Sequence, residues 1–325
     1  LFRQGGDSRE LIRHWPVLSA TMGRDAGMLA VVVVVSGMPF AEAIYSYRNI
    51  PRQTMIDTFA DLSLWMRSYR EAHGEWGLDQ LNWLLHHVKG ELFRLGRLQF
   101  MLRPLRAKAR VYSHKVESRT IALCEADTQV RGDGLINGTN GIVDDETGWR
   151  TELREEDGQV TGYPIDPRGF IRREPVALSM QDWRVVLERG ETVLDIHIPE
   201  DGKMDFDRCG ESIALAQTFY AVHFKEYTIR AFTCSSWLMD PQLRLLLPKE
   251  SNIVRFQREF YLMPVLSNDT SALSRVFGRY PVDLDSAPRD TTLKRAILEW
   301  MEAGGRMRNA SGFILISDLD WGRQV

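Results

Sequence analysis

Through the first third of the chain, apolar residues recur at three- and four-residue steps, the spacing of an amphipathic helix. In Thr54–Glu71 they are Met55, Phe59, Leu62, Trp65 and Tyr69. Gly74 and Gly77 interrupt the stripe, and Leu78–His87 resumes it with Leu81, Leu84 and Leu85. Gly90–Leu102 predicts a short helix that passes into a strand at Arg97–Leu102. The apolar run Met28–Val35 reads as a buried helix or strand, since it is far shorter than the roughly 20 residues needed to cross a bilayer.

From residue 105 to 191 the pattern changes to short β-type runs separated by turn residues. Thr120–Glu125, Trp149–Glu155 and Gln159–Pro164 predict hairpin strands, with turn signals at Gly132–Gly134, Asn137–Gly138, Asn140–Gly141 and Asp157–Gly158. These glycines make no phosphate loop, because no lysine or hydroxyl residue completes the motif and no helix opens after them. Residues 192–263 then alternate: strand Val193–Ile198, helix Arg208–Phe224, strand Ile229–Trp237, short helix Pro241–Leu247 and strand Ile253–Leu262. Alternating strands and helices with short connectors imply a parallel strand pair. Helices at Ser271–Tyr280 and Thr291–Gly304 and a last buried strand at Ser311–Ser317 complete the chain. The expected class is α/β (α+β): a helical N-terminal region followed by a mixed, mostly antiparallel sheet. A boundary is expected between residues 182 and 183.

Composition narrows the function. The 325 residues carry a net charge of −3, with 44% hydrophobic and 26% charged side chains. That describes an ordinary globular protein without the basic field that grips nucleic acid. Cys124, Cys209 and Cys234 are odd in number and widely spaced, so they form neither a disulfide framework nor a zinc site. His86–His87 has no third ligand at helical spacing. The expectation is a cytoplasmic protein acting on small molecules, with no metal, no membrane and no nucleic acid.

Several phrases carry a resemblance: Asp57–Asp61, Leu95–Phe100, Gly162–Gly169, Ile196–Pro199, Phe232–Leu238, Asp240–Leu243 and Ser251–Phe256. Together they resemble bacterial acyltransferase-domain proteins with an N-acyltransferase N-terminal region and a GNAT-like (GCN5-related N-acyltransferase) C-terminal domain. The resemblance implies one splayed parallel strand pair with acyl-CoA lying in the splay. It implies transfer of an acyl group from that thioester to an amine, the two partners being a small-molecule donor and acceptor. Two places depart from the pattern. The usual pyrophosphate turn is replaced by Pro199–Phe206, with three carboxylates and one glycine, and Cys234–Trp237 reads Cys-Ser-Ser-Trp where the family is expected to read Cys-His-Ser-Trp. The alternative reading is an inactive GNAT-like module that binds a small ligand.

Strand alternation puts Asp195 and His197 on one face. A carboxylate beside an imidazole holds its tautomer and raises its basicity, which suits His197 as the general base. Cys234 and Ser236, at the end of the next strand, are candidates to assist the leaving thiol, although a cysteine is more often inert core. Ser235 falls on the opposite face from both. Ile198, Gly202 and Lys203 are expected to meet the CoA moiety before the helix. Asn252 and Arg255 are expected to line the cleft from the polar face of the next strand. Asp57, Asp61 and Arg97 read as a structural ion network.

Overall fold

The computed structural model describes residues 21–323. Along the chain run α1 (Ala26–Ser36), α2 (Met38–Tyr47), α3 (Arg52–His73) and α4 (Leu81–Val88), then β1 (Leu92–Leu95), β2 (Leu98–Pro104), β3 (Ala109–His114) and β4 (Thr120–Cys124). Short strands follow: β5 (Gln129–Val130), β6 (Trp149–Arg150), β7 (Leu153–Glu156), β8 (Gln159–Gly162), β9 (Pro164–Asp166), β10 (Phe170–Ile171), β11 (Val176–Ser179) and β12 (Trp183–Leu187). The last third holds β13 (Thr192–His197), α5 (Phe206–His223), β14 (Ala231–Ser236), α6 (Leu243–Leu246), α7 (Asn252–Arg258), β15 (Tyr261–Pro264), α8 (Thr270–Phe277), α9 (Thr292–Glu302) and β16 (Ala310–Leu315). The chain divides into two compact units, one ending its first segment at Leu102 and adding His197–Tyr227, the other taking Arg103–Ile196 and the chain from Thr228.

In the first unit the helical stripes meet as their spacing requires. Val31 and Val34 of α1, Phe59 of α3 and Leu81, Leu84, Leu85 and Val88 of α4 form one buried cluster. α1 approaches the segment before α4 through two glycines: a Cβ on Gly77 would stand 2.9 Å from Gly27 Cα and 2.5 Å from the Tyr69 ring. The other face of α1 exposes Val32 and Val35. Gly23–Tyr47, which contains α1 and α2, is by length and composition a helical stretch able to cross a bilayer, with 28% of its apolar 18-residue window buried. Instead of a helix before β2, the chain makes a hairpin. Leu95 pairs with Leu98 across Gly96–Arg97, and Gly96 takes the positive φ of 70° that such a two-residue turn demands. α5 starts at an N-cap, Asp205, whose carboxylate accepts from Arg208 N at 3.0 Å. Its far end joins an aromatic cluster of Tyr45, Phe93, Phe219, Tyr220 and Phe224, and the Tyr220 hydroxyl donates to Phe100 O at 2.9 Å.

The second unit is built from sheets. β10-β9-β4-β3-β12 is an antiparallel sheet, and β11-β8-β7 is a smaller one. Val111, Ala122, Ile165, Leu187, Val193, Phe313 and Leu315 fill the core beside them. β13 and β14 run parallel, while β16 lies antiparallel between β14 and β15. The predicted strand Ile253–Leu262 is corrected here. Residues Asn252–Arg258 are helix α7, and the strand begins only at Tyr261. The Ser251 side chain caps that helix by accepting from Val254 N at 3.2 Å. Gln257, placed inward, is fully satisfied by Leu238 O, Asp240 O and Arg244 Nε. A polar residue with such partners imitates strand alternation in the sequence while serving a helix.

Candidate functional site

The ladder between β13 and β14 sets Leu194 opposite Phe232 and Asp195 opposite Thr233, two pairs in strands of six residues each. Beside it lies a cavity of about 80 Å³ whose polar lining comes from Arg103, Asp195, Thr233, Ser235 and Ser311. Thr233 Oγ1 donates to Asp195 Oδ1 at 3.3 Å, and Arg103 Nε stands 3.9 Å from Asp195 Oδ2. Ser235 Oγ donates to Ser311 Oγ at 2.8 Å. Alternation along β14 turns Cys234 the other way, into the core, where it is 1% exposed and opposite Gly312. Ser236 Oγ accepts from Leu238 N at 3.1 Å and so caps the turn Trp237–Met239. Ser235 is thus the residue of this trio that lines the cavity. The sequence could place Ser235 on the face of Thr233 by alternation, but the register that sets Thr233 opposite Asp195 comes from the fold.

The first unit holds a buried polar cluster that ends at His197. Asp61, 2% exposed, accepts at Oδ2 from Gln99 Nε2 (2.7 Å), His87 Nε2 (3.1 Å) and Trp83 Nε1 (3.2 Å). His87 Nδ1 lies 3.2 Å from Trp83 O, so both ring nitrogens face oxygen atoms. Burial pushes the Asp61 carboxyl up, but the His87 bond and charge, with the Gln99 and Trp83 bonds, outweigh it and hold the group below its usual range. The Trp83 indole, fixed by Asp61, meets the His197 ring edge-on at 4.8 Å between centroids. Asp61 and Arg97, expected to share an ion network with Asp57, have different partners. Asp57 bonds Gln53 at 2.8 Å, and His86 bonds Glu91 at 2.6 Å. Among the described residues no cluster of three or more metal-ligating side chains occurs.

Past β13, the segment from Ile198 to α5 wraps the Arg97 guanidinium. Nε donates to Lys203 O at 3.0 Å, and one terminal nitrogen donates to Pro199 O at 2.8 Å and Gly202 O at 2.6 Å. Ser212 Oγ accepts from Arg97 N at 2.7 Å and donates to Arg208 O at 2.8 Å, tying the hairpin turn to α5. Arg94 donates to Asp201 Oδ2 at 2.5 Å. Gly202 and Lys203 are exposed on this loop. Burial pushes the thiol of Cys209, in the next helical turn, up to about 12. Asn252 and Arg255 lie in the second unit on helix α7, which replaces the strand expected there, Asn252 in its first turn and Arg255 in its last.

Comparison with known proteins adds a fold and a family. An acyltransferase in complex with decanoyl-CoA and teicoplanin matches with a TM-score of 0.62 at 22% identity, over 90% of this chain and 68% of that one. An acyltransferase in complex with decanoyl-CoA matches with a TM-score of 0.60 at 24% identity, over 94% and 69%. An acyltransferase variant in complex with octanoyl-CoA matches with a TM-score of 0.61 at 22% identity, over 90% and 68%. At these identities the likeness establishes a shared fold. No curated protein matches the sequence. The N-acyltransferase N-terminal domain model matches residues 1–90, and the GNAT-like C-terminal domain model matches residues 92–314, more than half of the chain. The chain therefore belongs to the family of proteins that join an N-acyltransferase N-terminal domain to a GNAT-like C-terminal domain.

Proposed function

We propose that this protein transfers an acyl group from an acyl-CoA to an amine by direct attack. The observation that carries the reading is the parallel pair β13–β14, whose register spans only Leu194–Phe232 and Asp195–Thr233 before six-residue strands run on. Solved proteins of the same fold hold octanoyl-CoA and decanoyl-CoA, which supports a CoA thioester as donor. His197 takes the amine proton as general base, its ring set against Trp83. Asp195, two residues before it on the same strand, forms with Thr233 and Ser235 the polar wall that receives the acceptor amine. Backbone N–H groups near the strand end polarise the thioester carbonyl as the oxyanion develops. Cys234 faces the core and Ser236 Oγ caps the following turn, so the reading gives the proton transfer to His197. Three free cysteines fit a reducing, cytosolic compartment.

The test is a melting-temperature titration with acetyl-, octanoyl- and decanoyl-CoA, followed by thiol release in the presence of an amine. A ligand at a hundredfold excess over its Kd adds about 2.7 kcal/mol of stability, a rise of several degrees. His197→Gln should keep that rise and lose turnover. If no CoA or pantetheine thioester raises the melting temperature, the reading fails and a module binding some other small ligand takes its place.

A further inference from the structure

We infer that the buried polar cluster between the loop 131–141 and the segment 306–309 binds a small oxyanion, a carboxylate or a phosphate. Both stretches belong to the second unit, and the inference is independent of the acyl-CoA reading. The turn glycines of this loop make no phosphate loop, yet the chain holds the loop tightly. Asn140 N donates to Ser267 O at 2.8 Å. Asn309 N donates to Ser267 Oγ at 3.0 Å, and that hydroxyl donates to Asn309 O at 3.2 Å, so Ser267 ties the two stretches together. Arg131 donates to Thr139 O and Arg306 to Asn140 O, each at 3.3 Å. The guanidinium of Arg308 stands 5.4 Å from the centre of the Phe170 ring.

Four side-chain atoms in this cluster are buried without a hydrogen bond: Arg308 Nη2, Thr139 Oγ1, Asn140 Oδ1 and Asn309 Oδ1. Arg308 is 8% exposed and Thr139 is 1% exposed. Buried polar atoms are normally paired, so four together call for a partner from outside the chain. Asp240 does not serve. It stands 3.6 Å from Arg308 Nε, and its two oxygens already accept from Arg308 N, Gln242 N and Gln242 Nε2. Asp133 is taken by Arg131 at 2.6 Å. Three guanidiniums thus meet two carboxylates. Burial pushes the Arg308 guanidinium down, and Asp240 and Asp133 offset this only in part. Arg131 links the two unused donors, since it bonds the Thr139 carbonyl and its charge acts on Arg308. An oxyanion accepts from the guanidinium and from the Thr139 hydroxyl, and either amide turned end for end offers it an NH2. A cation would meet the excess positive charge, and a neutral ligand would leave it in place.

The experiment is a melting-temperature titration of the intact protein with inorganic phosphate and with acetate, each against chloride at equal ionic strength. At least one should give a saturable rise. Saturation by phosphate alone assigns a phosphate ligand, and saturation by acetate alone assigns a carboxylate. Thr139→Val keeps the shape and removes the hydroxyl, so it should weaken the apparent Kd about tenfold. Arg308→Lys keeps a cation beside Asp240 and removes the planar fork, so it should weaken binding as well. Should Arg308→Lys fail to fold, Thr139→Val alone decides. No saturable rise with either anion overturns the inference. A rise that Thr139→Val leaves unchanged also overturns it, because the anion then sits elsewhere. Neither result bears on acyl transfer, since no thioester is present.

Discussion

Replacing Asp61 with alanine should destabilise the protein by about 4 kcal/mol, and the magnitude follows from the bonds to one oxygen. Gln99 Nε2, His87 Nε2 and Trp83 Nε1 all donate to Asp61 Oδ2 within 3.2 Å. Each buried donor left without a partner costs about 1–3 kcal/mol. The terms do not simply add, because Gln99 can swing to another partner. Removing one member of a buried charge pair costs about 3–5 kcal/mol in general, which brackets the estimate. Asp61→Asn keeps the shape and an acceptor oxygen but not the charge, so it should lose roughly half as much. Urea unfolding at pH 7 followed by tryptophan fluorescence reads this directly, since Trp83 is one of the donors. The pH dependence supplies a second check. The folded-state carboxyl of Asp61 lies below its unfolded value. Its contribution is therefore whole above the ordinary carboxylate range near about 4 and falls away as pH drops through the folded value. Asp61→Asn should flatten that acid limb. A loss below about 1 kcal/mol for Asp61→Ala, measured with an unchanged m-value, would refute the network as a stabilising unit.

Four further outcomes are expected. Asp240 is fully buried and accepts from Arg308 N at 2.9 Å, Gln242 N at 3.0 Å and Gln242 Nε2 at 3.0 Å, so Asp240→Ala should cost about 3–5 kcal/mol by thermal unfolding; a loss under about 1 kcal/mol counts against it. Ser235→Leu should fill the polar cavity and raise KM for the amine more than KM for the acyl donor, and the reverse pattern would detach the cavity from the acceptor. With Cys124, Cys209 and Cys234 all buried, iodoacetamide at neutral pH should label the native protein slowly and the urea-unfolded protein fast; one rapidly modified native thiol contradicts this. Gly305→Ala should lower the melting temperature, because its new Cβ would stand 2.2 Å from the Trp300 ring, a clash worth about 1–3 kcal/mol; an unchanged melting temperature would show that the ring gives way freely.

The strands and helices with one apolar face were legible in the sequence because a single burial pattern governs them. α3 runs Arg52–His73 where Thr54–Glu71 was read, and β14 runs Ala231–Ser236 where Ile229–Trp237 was read. The failures share a cause. At 90–96 a hairpin stands in place of a helix because Gly96 can take a positive φ and Leu95 and Leu98 close the turn. At 252–258 a helix stands in place of a strand because Ser251 caps it and Gln257 turns its amide inward. In both, one side-chain or backbone bond overrules a hydrophobic count taken over seven residues. The site was legible in part. Alternation predicts Asp195 and His197 on one face, yet Asp195 lines the cavity while the His197 ring meets Trp83, and the partner strand's register decides which of Cys234, Ser235 and Ser236 meets the cavity. Asp61's bond to His87, 26 residues on, has no sequence signal at all.

Under the proposed acyl-transfer reading, direct attack is expected in preference to an acyl-enzyme. A covalent route needs a thiolate or a hydroxyl activated by a base. Burial raises the thiols of Cys124 and Cys209, the latter to about 12, so neither supplies thiolate at neutral pH. Cys234 faces the core of the β14–β16 pair. The cavity hydroxyls bond laterally: Ser235 to Ser311 at 2.8 Å, Thr233 to Asp195 at 3.3 Å, with no imidazole among those donors and acceptors. Asp195, beside them, is itself paired with Arg103 at 3.9 Å and accepts from Thr233. These hydroxyls are thus poorly suited to becoming acylated.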